Sequence, residues 1–347
     1  MKISLLISNP YHVDFFKNII KELWDKHEIF PLVRDEEISK RLMDLYSIKY
    51  TSYASTFEGY LPELLYSCKN KLDLVGRLLK IRPDVLLCIN ELPPAPFNSI
   101  FNMPTLVFLD RRLEKRSEKF VFNYADKIVT PSCYHYDVPG KKRINYPSYP
   151  SMIYLHPSIY KPDTNLLNEL DTEAENYIVV TYDSQDKGIK KEVPTLLRRE
   201  KIDIVRELNK ECRVFVDERG SYPEPLEEFV PDIPLNKYHD LISNSKLLVS
   251  DDPYTSVDAG SLGTPWICVS SESTPCLEEQ EVIYEIGSTF RDFKEALKLA
   301  KKLINDEIEP DIAGSYERIL EEKDEITDQI IKEIESANKN RKEEEHE

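Results

Sequence analysis

Short apolar runs alternate with amphipathic helical stretches from the first residues of this chain, and that rhythm confines it to layered α/β folds. Ile3–Ser8 reads as a strand, and Val13–Lys26 as a helix with Phe15, Phe16, Ile19, Ile20 and Leu23 on one side. Glu28–Val33 is a strand, Asp35–Leu45 a helix and Lys49–Tyr53 a strand. A long helix over Leu61–Leu79 stops near Arg82-Pro83, because proline lacks the N–H that would continue it. Val85–Ile89, Thr105–Leu109 and Lys127–Thr130 follow as strands. Strands separated by helices of this length indicate crossover units and a parallel sheet covered on both faces.

Between Tyr134 and Asp163 the chain becomes rich in proline and tyrosine, which marks a domain edge. The rhythm then restarts with strands at Tyr177–Thr181, Arg213–Val216, Lys246–Val249 and Trp266–Val269. Helices are expected over Pro194–Leu208, Asn236–Ser243, Ser288–Ile304 and Ser315–Ala337. At 347 residues and 41% hydrophobic content, the chain is too long for one core and apolar enough for two. The expected architecture is α/β, two Rossmann-like domains in a GT-B arrangement around a cleft. Residues 1–157 form the N-terminal Rossmann-like domain, 158–305 the C-terminal one, 306–337 a helical segment and 338–347 a charged tail.

No apolar stretch approaches the ~20 residues of a membrane span. The opening run is too short for a signal peptide and lacks a cleavage site after it. The six cysteines are scattered without a CxxC pair or a neighbouring His, against a zinc site or disulfide framework. A cytoplasmic location and no metal or other cofactor are expected. Through Pro157 there are 22 Lys and Arg against 18 Asp and Glu, and beyond it 24 against 45. The basic residues of the first half gather at Arg111, Arg112, Lys115, Arg116 and Lys119, and again at Lys141-Lys142-Arg143. That face suits either a peripheral contact with anionic lipid or with a phosphorylated acceptor, or a solvated helix laced with Glu114 and Glu118. Nucleic acid is not expected, since no long basic patch interleaved with aromatics occurs.

The segment Ser250–Pro265 has the layout of a ligand site: a strand ends in a polar turn, a helix opens, and Gly263-Thr264-Pro265 closes it. Backbone N–H groups at a helix start suit a phosphate. Asp252, Tyr254, Thr255, Ser256, Asp258 and Gly263 are the candidate substrate-binding residues here, with Thr181 and Tyr182 from the end of a neighbouring strand. Asp252-Pro253 also reads as helix cap and first helical residue, and an ionised Asp252 would repel a diphosphate. Asp258 suits ribose hydroxyls and simple helix solvation equally. His12, Asp110 and Glu91 follow strand ends in the first half and are the candidate catalytic residues, because open sheets bind ligands beyond their strand C-termini. His12 could serve as general base or merely pack against Phe15 and Phe16; Glu91 could be simple loop solvation. His156 reads as a packed structural histidine, and His239 carries no signal.

Asn9-Pro-Tyr-His-Val-Asp-Phe-Phe16, Arg82-Pro-Asp-Val-Leu-Leu87, Thr105-Leu-Val-Phe-Leu-Asp110, Ala125-Asp-Lys-Ile-Val-Thr-Pro131, Tyr154-Leu-His-Pro157 and Asp258-Ala-Gly-Ser-Leu-Gly-Thr-Pro265 together resemble a mostly archaeal domain of unknown function. That family is similar to UDP-N-acetylglucosamine 2-epimerases and GT-B glycosyltransferases. The resemblance implies two Rossmann-like domains, a nucleotide-sugar site mostly in the second, and no obligatory metal or redox cofactor. By the same resemblance a small hydroxyl is usual where this chain has Asp252, Glu where it has Asp258, and Gly-Tyr-His-Glu where it has Ser148-Tyr-Pro-Ser151.

Two functions follow as expectations. One is a glycosyltransferase-like protein of the GT-B class acting on a nucleotide-activated sugar, UDP-linked by preference, with a lipid-linked or glycan acceptor. The other is a non-catalytic, site-degenerate paralogue acting as a binding or partner protein. Within the enzyme reading transfer is preferred to epimerisation, because the acid–base set an epimerase needs is not evident.

Overall fold

The structure, a computed structural model, describes residues 1–53, 63–92, 103–183 and 196–344, with residues 63–71 and 338–344 as backbone. The helix starts expected at Leu61 and Pro194, the loop beyond Asp183 and the tip of the charged tail lie outside the described residues. The chain divides into two compact units, Met1–Tyr154 with Glu325–Glu347, and Leu155–Asp324.

The first unit holds β1 (Lys2–Ile7), β2 (Glu28–Arg34), β3 (Thr51–Tyr53), β4 (Val85–Ile89), β5 (Thr105–Phe108), β6 (Lys127–Pro131) and β7 (Arg143–Tyr146). All pairings are parallel, in the order β3-β2-β1-β4-β5-β6-β7. The order reverses between β1 and β4, and ligands of such sheets bind beyond the strand ends at that point. Ile3, Leu5, Ile7 and every residue of β4 are buried, and each such aliphatic side chain stabilises the fold by ~1.5–3 kcal/mol. β7 has no counterpart among the expected strands. It is an edge strand, half exposed, and is pinned by Arg143, which donates to the Thr130 hydroxyl at 3.2 Å and the Tyr134 carbonyl at 2.7 Å.

The helices of this unit include α1 (Pro10–Leu23), α2 (Glu37–Leu45), α3 (Glu63–Ile81) and α4 (Lys115–Tyr124). Asn9 caps α1 by accepting the His12 amide at 3.0 Å, and Pro10 occupies the first turn, where no N–H is needed. The apolar side of α1 lies on the sheet, with the Phe15 and Phe16 rings edge-on to Phe108 at 5.0 and 6.1 Å.

The second unit holds β8 (Tyr177–Thr181), β9 (Arg213–Val216), β10 (Leu247–Ser250), β11 (Trp266–Val269) and β12 (Gly287–Phe290), parallel, in the order β12-β11-β10-β8-β9. Its reversal falls between β8 and β10. Its helices include α5 (Arg198–Leu208), α6 (Tyr238–Ser243), α7 (Pro253–Ser261), α8 (Pro275–Val282), α9 (Phe293–Ile304) and α10 (Ile312–Glu322). From α8, the buried Gln280 accepts the Trp266 indole N–H at 2.9 Å and donates to the Val257 carbonyl at 3.0 Å. Gly260 leaves room for it, since a Cβ there would lie 2.1 Å from the Gln280 oxygen.

Two expected helices are corrected. Ser288–Ile304 begins as strand β12, because Gly287 lets the chain pass flat against the Trp266 ring, and α9 starts only where Asp292 caps the Lys294 amide. Ser315–Ala337 is two helices, α10 and α11 (Thr327–Glu344), parted at Lys323, whose backbone is extended. Glu325 accepts the Thr327 amide at 2.8 Å to open the second. Segment 306–337 therefore supplies a helix to each unit. In the first, Glu335 of α11 lies 3.0 Å from His27.

Candidate functional site

The reversal point of the first sheet is spanned by the chain's own side chains. Ser8, just past β1, donates its hydroxyl to Glu91, just past β4. The Tyr53 hydroxyl lies 3.3 Å from the same Ser8 oxygen, and Arg34 approaches the other Glu91 oxygen at 3.9 Å. Burial, then the nearby Glu91 charge, raises the Tyr53 phenol to about 12, so it stays protonated as a donor. Next to it, Asp110 accepts the Tyr11 hydroxyl at 2.7 Å and the Asn90 amide at 2.6 Å. Asn90 holds this position with φ of 55°, a left-handed conformation that asparagine tolerates better than most residues. Asp110 and Glu91 thus both stand at the carboxyl edge of the sheet, held by internal partners.

His12 is packed inward beside them. Its ring is buried, and Nδ1 accepts the Ser8 amide at 3.2 Å. Burial drives its pKa down to about 3, opposed by a backbone hydrogen bond at Leu6. The single lone pair of the neutral ring is thus engaged by the backbone, and burial disfavours its charged form. Asp14, two residues on, pairs with Lys17 at 3.0 Å and accepts the Tyr46 hydroxyl at 3.2 Å.

In the second unit the reversal point lies between Thr181 and Ser250, and it is also bridged. Asp251 accepts the Asp183 amide at 2.5 Å and meets Lys201, which reaches in from α5 to 3.4 Å. Lys201 also donates to the Ser221 carbonyl and lies 4.7 Å over the Tyr182 ring. Beside them, Asp252 caps α7: its two oxygens take the Tyr254 amide at 3.1 Å, the Thr255 amide at 3.4 Å and the Thr255 hydroxyl at 2.8 Å. The N–H groups at the start of this helix are therefore satisfied by a carboxylate of the chain itself. Loss of water, then the charge of Asp183, pushes the Asp252 acid up to about 7. Burial likewise raises Asp217, beyond β9, to about 6; it accepts from Thr181 at 3.2 Å and from the Arg219 amide at 3.0 Å.

The remaining expected residues separate. Thr181, Thr255 and Ser256 sit at the carboxyl edge, Ser256 donating to the Asp252 carbonyl at 3.0 Å. Tyr254 is half-buried in the first turn of α7. Tyr182 is a core residue, its hydroxyl donated to the Lys201 carbonyl at 2.7 Å. Gly263 lies past the far end of α7, about 13 Å from its start, with φ of 80° as its turn requires. Asp258 points to α6, where His239 approaches it at 3.2 Å. Sequence reasoning passes over His239, since nothing local distinguishes it. His156, read as packed, is half-exposed and closes a turn onto Ser158. Among the described residues no group of three or more His, Cys, Asp or Glu is placed to hold a metal ion. No helix of the described residues is long and apolar enough to cross a membrane.

Two parallel Rossmann-like sheets clothed in helices place the chain in the α/β GT-B class of folds, to which nucleotide-sugar proteins belong. Solved structures agree. UDP-N-acetylglucosamine 2-epimerase from Rickettsia bellii matches at TM-score 0.68 and 14% identity, covering 98% of this chain and 97% of that one. The UDP-GlcNAc 2-epimerase of Methanocaldococcus jannaschii, in complex with UDP-GlcNAc and UDP, matches at 0.66 and 14%, covering 92% and 99%. The glycotransferase of kitacinnamycin matches at 0.60 and 12%, covering 97% and 98%. At such identities the likeness shows the fold. The chain belongs to the family described as "Protein of unknown function (DUF354)", whose model matches residues 1–180. No curated protein matches it in sequence.

Proposed function

We propose that this chain is a non-catalytic, site-degenerate member of the nucleotide-sugar GT-B class, acting as a binding or partner protein. The observation that carries this reading is the Asp252 carboxylate on the Tyr254 and Thr255 amides. A diphosphate directed to the start of α7 would meet that carboxylate first. Two unit charges ~4 Å apart repel by ~4 kcal/mol at an effective dielectric of 20, about a thousandfold in affinity. The engaged lone pair of His12 argues in the same direction for one of the first unit's expected bases.

Thermal unfolding with UDP and UDP-GlcNAc, with and without magnesium at pH 8, tests the reading. No stabilisation is expected. A ligand at a hundred times its Kd would add ~2.7 kcal/mol, and a shift of that size would overturn the proposal.

The glycosyltransferase-like reading, with a UDP-sugar donor, keeps one specific support. Because burial and the neighbouring Asp183 charge push the Asp252 acid upward, part of the population carries it uncharged near neutral pH, which lowers the barrier to an anionic donor. In that reading Thr255, Ser256 and Asp258 meet the donor, and Asp110 takes the acceptor's proton. A UDP-dependent shift present at pH 6 and lost at pH 8 would select it.

A further inference from the structure

We infer that the outer face of α4 in the first unit is a docking surface for an anionic lipid bilayer; this goes beyond the functional reading above. Lys115 and Lys119 lie one turn apart on the exposed side of the helix, with Arg116 between them and Arg112 just ahead, all exposed. None of Lys115, Arg116 and Lys119 forms an ion pair with a described residue. Of the two carboxylates on this stretch, Glu118 is half-buried, while Glu114, just ahead of the first turn, is exposed. At the other end of α4, Lys142 donates to the Phe122 and Asn123 carbonyls at 2.9 and 3.2 Å, which fixes the exposed Lys141 beyond the last turn.

Beside this cationic ridge runs a half-buried aromatic pair, Phe120 and Tyr124, with ring centres 5.0 Å apart. Val121, on the opposite side, is buried and holds the helix to the unit. A basic ridge flanked by aromatics is the pattern of a helix that lies in a headgroup layer, where the cations meet lipid phosphates and the rings enter the acyl boundary. The net charge of −17 does not oppose this, because charges more than ~8 Å away are largely screened at physiological ionic strength. The ridge spans only about two helical turns, which favours a lipid surface over the longer basic track that nucleic acid requires.

The test is co-sedimentation of the full chain with vesicles of phosphatidylcholine alone and of phosphatidylcholine with one-third phosphatidylglycerol. Binding to the second only, weakening as salt rises, is expected. The triple variant Lys115→Gln, Arg116→Gln, Lys119→Gln should partition about a hundredfold less well, at roughly one kcal/mol per lost cation. Its circular dichroism and Tm should match the parent, because all three side chains are exposed. Lys141→Gln alone should give a smaller loss, about fivefold. Equal binding to both vesicle types, no binding to either, or undiminished binding by the triple variant would overturn the inference. So would tighter binding to a single-stranded RNA homopolymer than to the anionic vesicles at the same salt.

Discussion

His239 Nε2 lies 3.2 Å from Asp258 Oδ2, tying α6 to α7 with both side chains withdrawn from water. A hydrogen bond between two such groups contributes about 1 kcal/mol net, more where one partner is charged. A double-mutant cycle of His239→Ala and Asp258→Ala, read by urea denaturation, should return a coupling energy of about 1–2 kcal/mol. Additive losses from the two single changes would show that the contact does not hold the helices together.

Stability should fall as pH rises from about 4 to 7 through two carboxyl groups. Asp252 and Asp217 have folded-state values of about 7 and 6, above the ~3.9 of an unfolded aspartate. The folded chain then binds more protons than the unfolded one. Their contribution is complete below ~4 and lost on passing the folded values, at up to ~1.4 kcal/mol per pH unit for each group. Asp252→Asn keeps a capping oxygen without the titration. Denaturation at pH 5 and pH 8 should show a smaller difference for this variant than for the parent; an unchanged difference would exclude Asp252 as a source.

His12 works in the opposite direction. Its folded value of about 3 lies below the ~6.5 of an unfolded histidine, so its contribution is complete above ~6.5 and lost as pH falls towards 3. His12→Asn, which can still accept the Ser8 amide, should cost about 1–3 kcal/mol at pH 8 through lost packing and should flatten the acid limb of the stability profile. A variant as acid-sensitive as the parent would contradict a buried neutral imidazole.

Gly220→Ala should destabilise the chain by about 1–3 kcal/mol, because the added Cβ would stand 2.3 Å from the Tyr182 backbone oxygen, which cannot swing away. Gly140→Ala provides the contrast. Nothing lies within 4 Å of a Cβ there, so its Tm should stay level or rise slightly. Equal behaviour of the two variants would mean that the Gly220 turn relaxes freely.

Local chemistry made much of this protein legible before any coordinates. Continuous apolar runs as short as Val85–Ile89, bounded by Pro83-Asp84 and Asn90, read as buried strands, and Asp252-Pro253 carries its cap in its own two residues. Those signals act through backbone groups a few positions apart. Ser288–Ile304 shows the limit: its helical period extends back over Ser288–Phe290, but a neighbouring strand and the Trp266 ring convert that start to β12. Edge strand β7 failed to register because half of it faces solvent and so lacks an apolar run.

The sequence by itself determined the strand–helix alternation, the two Rossmann-like cores and the capping of α7. Only the tertiary structure decided what fills the carboxyl edges of the two sheets. Ser8 meets Glu91 across 83 positions, Asp183 meets Asp251 across 68, and His239 meets Asp258 across 19. Whether a carboxylate receives a ligand or an internal donor depends on which side chains packing delivers beside it. That is set by strand order and burial, which no stretch of neighbouring residues encodes.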